Sequence, residues 1–325
     1  MTTKQYCSRL CRRLTGKTLR ILIIRAGFPY HKDPYVYQWV WVFILLPFLE
    51  ETSLNDLIDG DGKELRKLYG IVRKHPDSCE CLVQLLSLPL FFDLLEAYQH
   101  ANDTTKSRQR ITLIFDDTNA EKYGKQMDVL HTLYDHCHDA YIMGYNSVLL
   151  LVVSGSFVFP VCCVLWLPKS HADDRSKNDI ARDEMNALSA ECEKPGQRLD
   201  EVELLCDSAY CRQKVMLPAI HAGLRVITKA GNTHTFEFEG ELLTPKDIIE
   251  RVKTRQWKYL DPDTWYHRVV AQHHTYGEVV LVARRRQLKN HKIMYDVVLC
   301  TKRFYTAVRI HTRYKARWNI ELHFK

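Results

Sequence analysis

The stretch Val148 to Leu167 reads VLLLVVSGSFVFPVCCVLWL, and it constrains the fold more than any other segment. Twenty residues of this character are long enough to cross a bilayer as one helix. Their detail favours a different form. Ser154, Gly155 and Ser156 interrupt the middle, Pro160 follows, and β-branched and aromatic residues are frequent. Two buried strands joined by a tight turn account for all three features. The pair is expected at the centre of a sheet.

The rest of the chain divides around residue 108. Up to there it reads mainly as helix. Tyr37 to Leu49 is apolar enough for a buried helix. Leu54, Leu57, Ile58, Leu65 and Leu68 recur at near-helical spacing behind the candidate cap Ser53, and Cys81 to Tyr98 forms a further helical run. His100 to Arg110 (HANDTTKSRQR) reads as a linker. Beyond it the pattern alternates. Ile111 to Phe115 is a short strand ending at Asp116. A charged loop from Lys169 to Asn178 leads into a helix through about Ser189. Val202 to Cys206 is a strand ending at Asp207, followed by a helix from about Arg212 to Ala222 and a strand from Leu224 to Lys229. This order predicts an α/β fold, a mixed sheet flanked by helices. Residues of about 231–292 are less regular and read as a β-rich insertion with Trp257 and Trp265 in its core. Tyr295 to Cys300 is a strand, and Thr306 to Lys325 a helix.

Charge and cysteine content narrow the classes of function. The 46 Lys and Arg residues exceed the 39 Asp and Glu residues, for a net charge of +7. That permits a polyanionic partner without demanding one. The basic residues crowd the N-terminus and the last third, where several clusters around one site would neutralise phosphates. The 11 cysteines are odd in number and form no paired Cys-x-x-Cys sites, and Met1 to Arg20 is too polar for a signal peptide. Reduced cytosolic thiols are therefore expected. His136-Cys137-His138 and His273-His274 lack the second pair that a zinc site needs. Gly60-Asp61-Gly62-Lys63 lacks the spacing and the preceding strand of a phosphate loop.

Two strands that each end in an aspartate carry the first chemical signal, since acids at strand ends face a shared cleft in α/β sheets. An aspartate there is also a common turn or cap residue. The C-terminal helix adds weight. Tyr314, Arg317 and Glu321 are spaced i, i+3 and i+7, so they share one face. A solvated stripe with an Arg317–Glu321 ion pair is the plain reading. Trp318 and Ile320 flank the stripe, however, and indicate a packed helix.

Taken in order, these motifs resemble the insertion-sequence transposases of the aspartate-aspartate-glutamate type. Their signature is Tyr-x-x-Arg-x-x-x-Glu-x-x-x-x-x-x-Lys. Tyr314, Arg317 and Glu321 match it, Phe115-Asp116-Asp117-Thr118 resembles the first acidic motif, and Leu205-Cys206-Asp207-Ser208 the second. The resemblance covers residues of about 109–325. It implies a ribonuclease-H-like catalytic domain with the β-rich insertion, preceded by a helical DNA-binding domain over 1–108. It implies metal-dependent cleavage at transposon ends and strand transfer into target DNA. Asp116, Asp207 and Glu321 would be the catalytic metal ligands, with Asp117 as the alternative to Asp116. They would hold Mg²⁺ or Mn²⁺, two ions in all, because hard cations take oxygen ligands and relieve the repulsion among converging carboxylates. Tyr314 and Arg317 would contact the DNA backbone. The implied partners are double-stranded DNA, as transposon end and target, and a second copy in a homodimer on DNA, with no membrane. The implied location is the cytoplasm, at the nucleoid. The signature lysine would fall just past Lys325, so a C-terminally truncated copy is expected. The alternative is a catalytically inactive DNA-binding remnant.

Overall fold

The computed structural model describes residues 16–28, 76–108, 110–121, 130–135, 139–155, 157–167, 169, 171, 174–193, 197–288 and 291–317. The chain divides into two compact units, residues 1–109 with 151–163, and residues 110–150 with 164–325.

In the first unit, α1 (Gly16–Arg25) packs on α2 (Pro76–Gln99), and a short α3 (Asp103–Arg108) follows. The predicted helix at Cys81 to Tyr98 is present within α2 and buries Leu82, Phe91 and Leu95. The predicted linker contains α3. Thr105 N donates to Asn102 Oδ1 at 2.9 Å just ahead of it, a local side-chain bond of the kind that starts helices. Among the described residues one stretch, Cys81–Gln99, is long and apolar enough to span a membrane, and 44% of it is buried in the protein. The helices predicted at Tyr37 to Leu49 and from Thr52 lie outside the described residues, as do Gly60 to Lys63 and His136 to His138.

From residue 111 the fold is mixed α/β. Twelve strands join one sheet, in the order β2-β3-β1-β5-β6-β12-β11-β10-β7-β8, with β4 paired to β3 and β9 to β10. The strands are β1 (Ile111–Glu121), β2 (His131–Asp135), β3 (Ala140–Ser154), β4 (Phe157–Trp166), β5 (Glu203–Cys206), β6 (Arg225–Lys229), β7 (Phe236–Phe238), β8 (Glu241–Leu243), β9 (Lys258–Asp261), β10 (Thr264–His273), β11 (Gly277–Gln287) and β12 (Ile293–Cys300). The helices are α4 (Lys177–Glu193), α5 (Gln213–His221), α6 (Pro245–Lys253) and α7 (Ala307–Ala316).

The Val148 to Leu167 stretch is a strand pair, as expected, and not a membrane helix. Gly155 turns it at φ 62°, a left-handed conformation that favours glycine. Its place differs from expectation: β3 is second along the sheet order, and β1, β5, β6, β12 and β11 lie further in. Those inner strands explain the unbroken apolar runs in the sequence. Ile111, Leu113, Ile114 and Phe115, Leu204 to Cys206, Val279 to Ala283, and Val298 to Cys300 are all 0–1% exposed. A strand covered on both faces has no polar side to alternate with. Here α5 and α7 pack on β6, and α6 and α7 on β11 and β12.

Several boundaries differ from the expected ones for physical reasons. β1 does not stop at Asp116 but runs on to Glu121, so Asp116 and Asp117 lie mid-strand. The continuation is only half-buried and carries no apolar signal. The insertion is β-rich but also contains α6, which a capping box opens. Thr244 Oγ1 accepts from Asp247 N, Asp247 returns a bond to Thr244 N, and Pro245 takes the first helical position. Trp257 and Trp265 are half-buried rather than core. Trp257 meets the Tyr295 ring at 6.0 Å, and Arg285 lies over Trp265 at 5.5 Å. Cys192, Cys206, Cys211 and Cys300 are free thiols.

Candidate active site

The parallel ladder between β1 and β5 brings the two acidic motifs together. Phe115 is in register with Cys206, so Asp116 and Asp207, the next residues on each chain, leave the ladder at the same level. Their backbones are one strand spacing apart, about 4.8 Å in a regular sheet. The same ladder continues to β6, where Cys206 pairs with Thr228. Asp207 keeps an extended backbone and caps the 3-10 turn Ser208–Tyr210: its Oδ1 accepts from Ser208 N at 2.6 Å. Its carbonyl accepts from Thr228 Oγ1 at 3.2 Å, which fixes the turn to β6.

The two adjacent aspartates of β1 have different surroundings, because neighbouring strand residues point to opposite faces. Asp117 is enclosed by donors. Its Oδ2 accepts from Asn146 Nδ2 at 2.9 Å and Lys177 Nζ at 2.6 Å, and its Oδ1 from Tyr210 OH at 3.3 Å. Lys177 also sits over the Trp166 ring at 4.8 Å. Asp116 instead accepts from Arg317 NH1 at 2.9 Å, in an ion pair with 9% of the arginine side chain exposed. Tyr210 stacks on Phe115 with ring centroids 5.9 Å apart. Burial, reinforced by Asp117 and Asp116, pushes its phenol pKa far up, so it acts as a fixed hydrogen-bond donor.

Arg317 reaches Asp116 because α7 runs along the sheet. Thr306 caps the helix by accepting from Arg309 N at 3.2 Å. Eight residues separate Arg309 from Arg317, about 12 Å of helix at 1.5 Å per residue. Four separate Glu203 from Asp207, about 13 Å of strand at 3.3 Å per residue. The two rises match, so Arg309 and Arg313 meet Glu203 at one end of β5 while Arg317 meets Asp116 at the other. Tyr314 is buried between guanidiniums, with Arg284 at 5.3 Å and Arg317 at 5.9 Å from its ring. Burial raises its pKa, with Arg317 opposing and Asp207 adding to the shift.

A buried charge network behind Tyr314 escaped the sequence reading. Asp296 accepts from one guanidinium edge of Arg284, Nε at 2.7 Å and NH2 at 2.8 Å, and from Arg286 at 2.8 Å. Arg284 NH1 lies 3.4 Å from His311 Nδ1, and His311 Nε2 lies 3.0 Å from Asp261 Oδ2. Burial and the Arg284 charge lower the His311 pKa, so its neutral form is favoured. The only sequence signal was the Arg284-Arg285-Arg286 run, in which strand alternation sends Arg284 and Arg286 to one face.

Thus Asp116, Asp207, Tyr314 and Arg317 gather at one place, Asp117 turns to the other face of β1, and Glu321 lies outside the described residues. Among the described residues no three His, Cys, Asp or Glu side chains form a metal-holding group. Asp116 and Asp207 supply oxygen donors from two adjacent strands, a set that suits a hard divalent cation needing one or two carboxylates. A comparison with protein-family models finds no match, and a comparison with curated proteins finds none.

Proposed function

We propose that this chain is a DNA transposase with a ribonuclease-H-like catalytic domain, acting by metal-dependent cleavage and strand transfer. The observation that carries the reading is the register of β1 with β5, which levels Asp116 with Asp207 on neighbouring parallel strands. Asp116 and Asp207, with Glu321 as third carboxylate, are the residues that would hold Mg²⁺ or Mn²⁺. Bound there, two such ions stabilise the attacking and leaving oxygens of an in-line displacement at phosphorus. Asp117 is assigned a positioning role: with both oxygens taken by Lys177, Asn146 and Tyr210, it holds β1 against β3, α4 and the turn after Asp207. Arg317 would meet the DNA backbone, exchanging its carboxylate partner for a phosphate, whereas Tyr314, expected to meet it too, is buried beside Arg317 and would orient that guanidinium. The proposed partners are a transposon end, target DNA and a second copy on the DNA, and the proposed location is the nucleoid.

A second reading is a DNA-binding remnant without activity. The Arg317–Asp116 pair favours it, because a guanidinium already compensates one of the two carboxylates. Titration of Mn²⁺ into the protein, with a mobility-shift assay on duplex DNA alongside, separates the two. The transposase reading expects Mn²⁺ binding that D116N and D207N each weaken at least about tenfold, while DNA binding persists. DNA binding without Mn²⁺ binding would establish the remnant. Mn²⁺ affinity unchanged in both variants would sink the assigned ligands.

A further inference from the structure

At the opposite end of β5 from Asp207, the charges around Glu203 do not balance. Glu203 is fully buried. Its Oε1 accepts from Arg110 NH1 at 2.6 Å and from Tyr305 OH at 2.8 Å, and lies 3.5 Å from Arg309 NH2. Its Oε2 lies 3.4 Å from Arg313 Nε. Arg225 NH1 donates to the same Tyr305 hydroxyl at 3.2 Å. Three guanidiniums converge on one carboxylate and a fourth, Arg225, on its Tyr305 partner, with Glu201 adding a second negative charge near Arg225. Four positive charges less two negative leave an excess of two.

The hydrogen bonds are as unbalanced as the charges. A carboxylate offers about four acceptor sites, whereas each guanidinium brings about five N–H donors. Among the described residues the Nε atoms of Arg110, Arg225 and Arg309 are buried and make no hydrogen bond. Such buried donors are costly until something accepts from them or from their neighbours. Burial lowers the pKa of Arg313; Glu203 opposes the shift, and the Arg110 and Arg309 charges add to it. Arg309 and Arg313 stand one helical turn apart on α7, with 36% and 28% of their side chains exposed. Two forked donors therefore face solvent from a cluster that repels itself.

We propose that this cluster binds a phosphoryl group, with Arg309 and Arg313 as its outer ligands. A phosphoryl group carries up to two negative charges and several oxygens in a geometry that paired guanidiniums match. It offsets the excess of two and accepts from guanidinium N–H groups that do not reach Glu203, whose own Oε2 makes no hydrogen bond among the described residues. Neither the Asp116–Asp207 pair nor a metal takes part, so the site stands whether or not the chain is a transposase. The phosphoryl group can belong to a free polyphosphate or to a nucleic-acid backbone.

Calorimetric titration of the full chain with pyrophosphate, in EDTA at low ionic strength, tests the site. Binding is expected, and R309Q and R313Q should each weaken it by about tenfold. Pyrophosphate should also protect Arg309 and Arg313 of the wild-type chain from an arginine-selective dicarbonyl reagent, a readout that needs no variant to fold. In a competition arm with a short duplex, displacement of the DNA by pyrophosphate assigns the site to backbone phosphates. Pyrophosphate binding without displacement assigns it to a free phosphoryl ligand. Absence of pyrophosphate binding, affinity unchanged in both variants, or labelling of both arginines unchanged by pyrophosphate would overturn the proposal.

Discussion

His273 shows how one buried side chain can make stability depend on pH. Its Nδ1 accepts from Thr275 N at 3.1 Å and Tyr276 N at 3.2 Å, so Nε2 carries the proton and donates to His234 Nδ1 at 3.2 Å. His234 Nε2 then donates to Cys211 O at 2.6 Å. The relay needs a neutral ring at 273, which stacks on Tyr276 at 4.0 Å. Burial, with His234 and His274 behind it, lowers the His273 pKa to about 4. The unfolded chain protonates this residue near pH 6.5 while the folded chain resists until about 4. The neutral ring's contribution is therefore complete above 6.5, falls as pH drops through that window and levels off below 4. At about 1.4 kcal/mol per pKa unit, the loss reaches about 3 kcal/mol. Urea unfolding at pH 7 and pH 5 should show a smaller pH dependence in H273N, whose amide oxygen can accept the bonds that Nδ1 accepts. An identical pH dependence in wild type and variant would refute the assignment. The thiols provide a further residue-scale contrast: burial raises Cys192, Cys206 and Cys300 to about 12, where the reactive thiolate is scarce at neutral pH.

At the scale of elements, the two helices nearest the C-terminus are held in different ways. α6 depends on its own ends. Thr244 and Asp247 close the capping box, Arg251 and Lys253 stand in the last turn where they favour the helix dipole, and Ile248 and Val252 are fully buried. Thr244→Ala removes the N-cap acceptor and should lower unfolding stability by about 1 kcal/mol, read from denaturant midpoints; no loss would mean that packing alone holds the helix. By contrast, α7 is held along its length, with Ile310 buried and charged contacts to Glu203, Asp261 and Asp116. The Thr-Pro-x-Asp start of α6 did not register as a cap in the sequence. It sits among strands with only nine helical residues after it, too few for periodicity to stand out. The partners of α7 were not legible, because Glu203 and Asp116 lie 110 and 201 residues from Arg313 and Arg317.

At the scale of the molecule, the sheet is continuous from the parallel core into the insertion. β12 pairs with β6 on one side and β11 on the other, and β10 with β11 over the length of both. The strands covered on both faces should open only with global unfolding. Amide exchange is expected to be slowest in β5, β6, β11 and β12 and faster in β2, where Thr132 and Tyr134 are exposed. Faster exchange in β12 than in β2 would contradict this order. The continuity also explains why the insertion read as irregular. β7, β8 and β9 have only three or four residues each, and strands so short carry too few alternations to register as a pattern.

What the sequence determined by itself was whatever local order writes into adjacent residues. The Ser-Gly-Ser break made two strands of the Val148 to Leu167 stretch. Unbroken apolar runs marked the strands with both faces covered. The acids that close two of those runs, Asp116 and Asp207, stood out because a charge so close to a buried strand needs a reason. The tertiary structure alone decided the β1–β5 register that levels those acids, the donors that occupy Asp117, and the pairing of Arg317 with Asp116. It also gathered four arginines around Glu203 and Tyr305. Each of these joins residues tens to hundreds of positions apart. Such contacts form only when chain closure brings the partners together, and no local spacing records which arginine will meet which carboxylate.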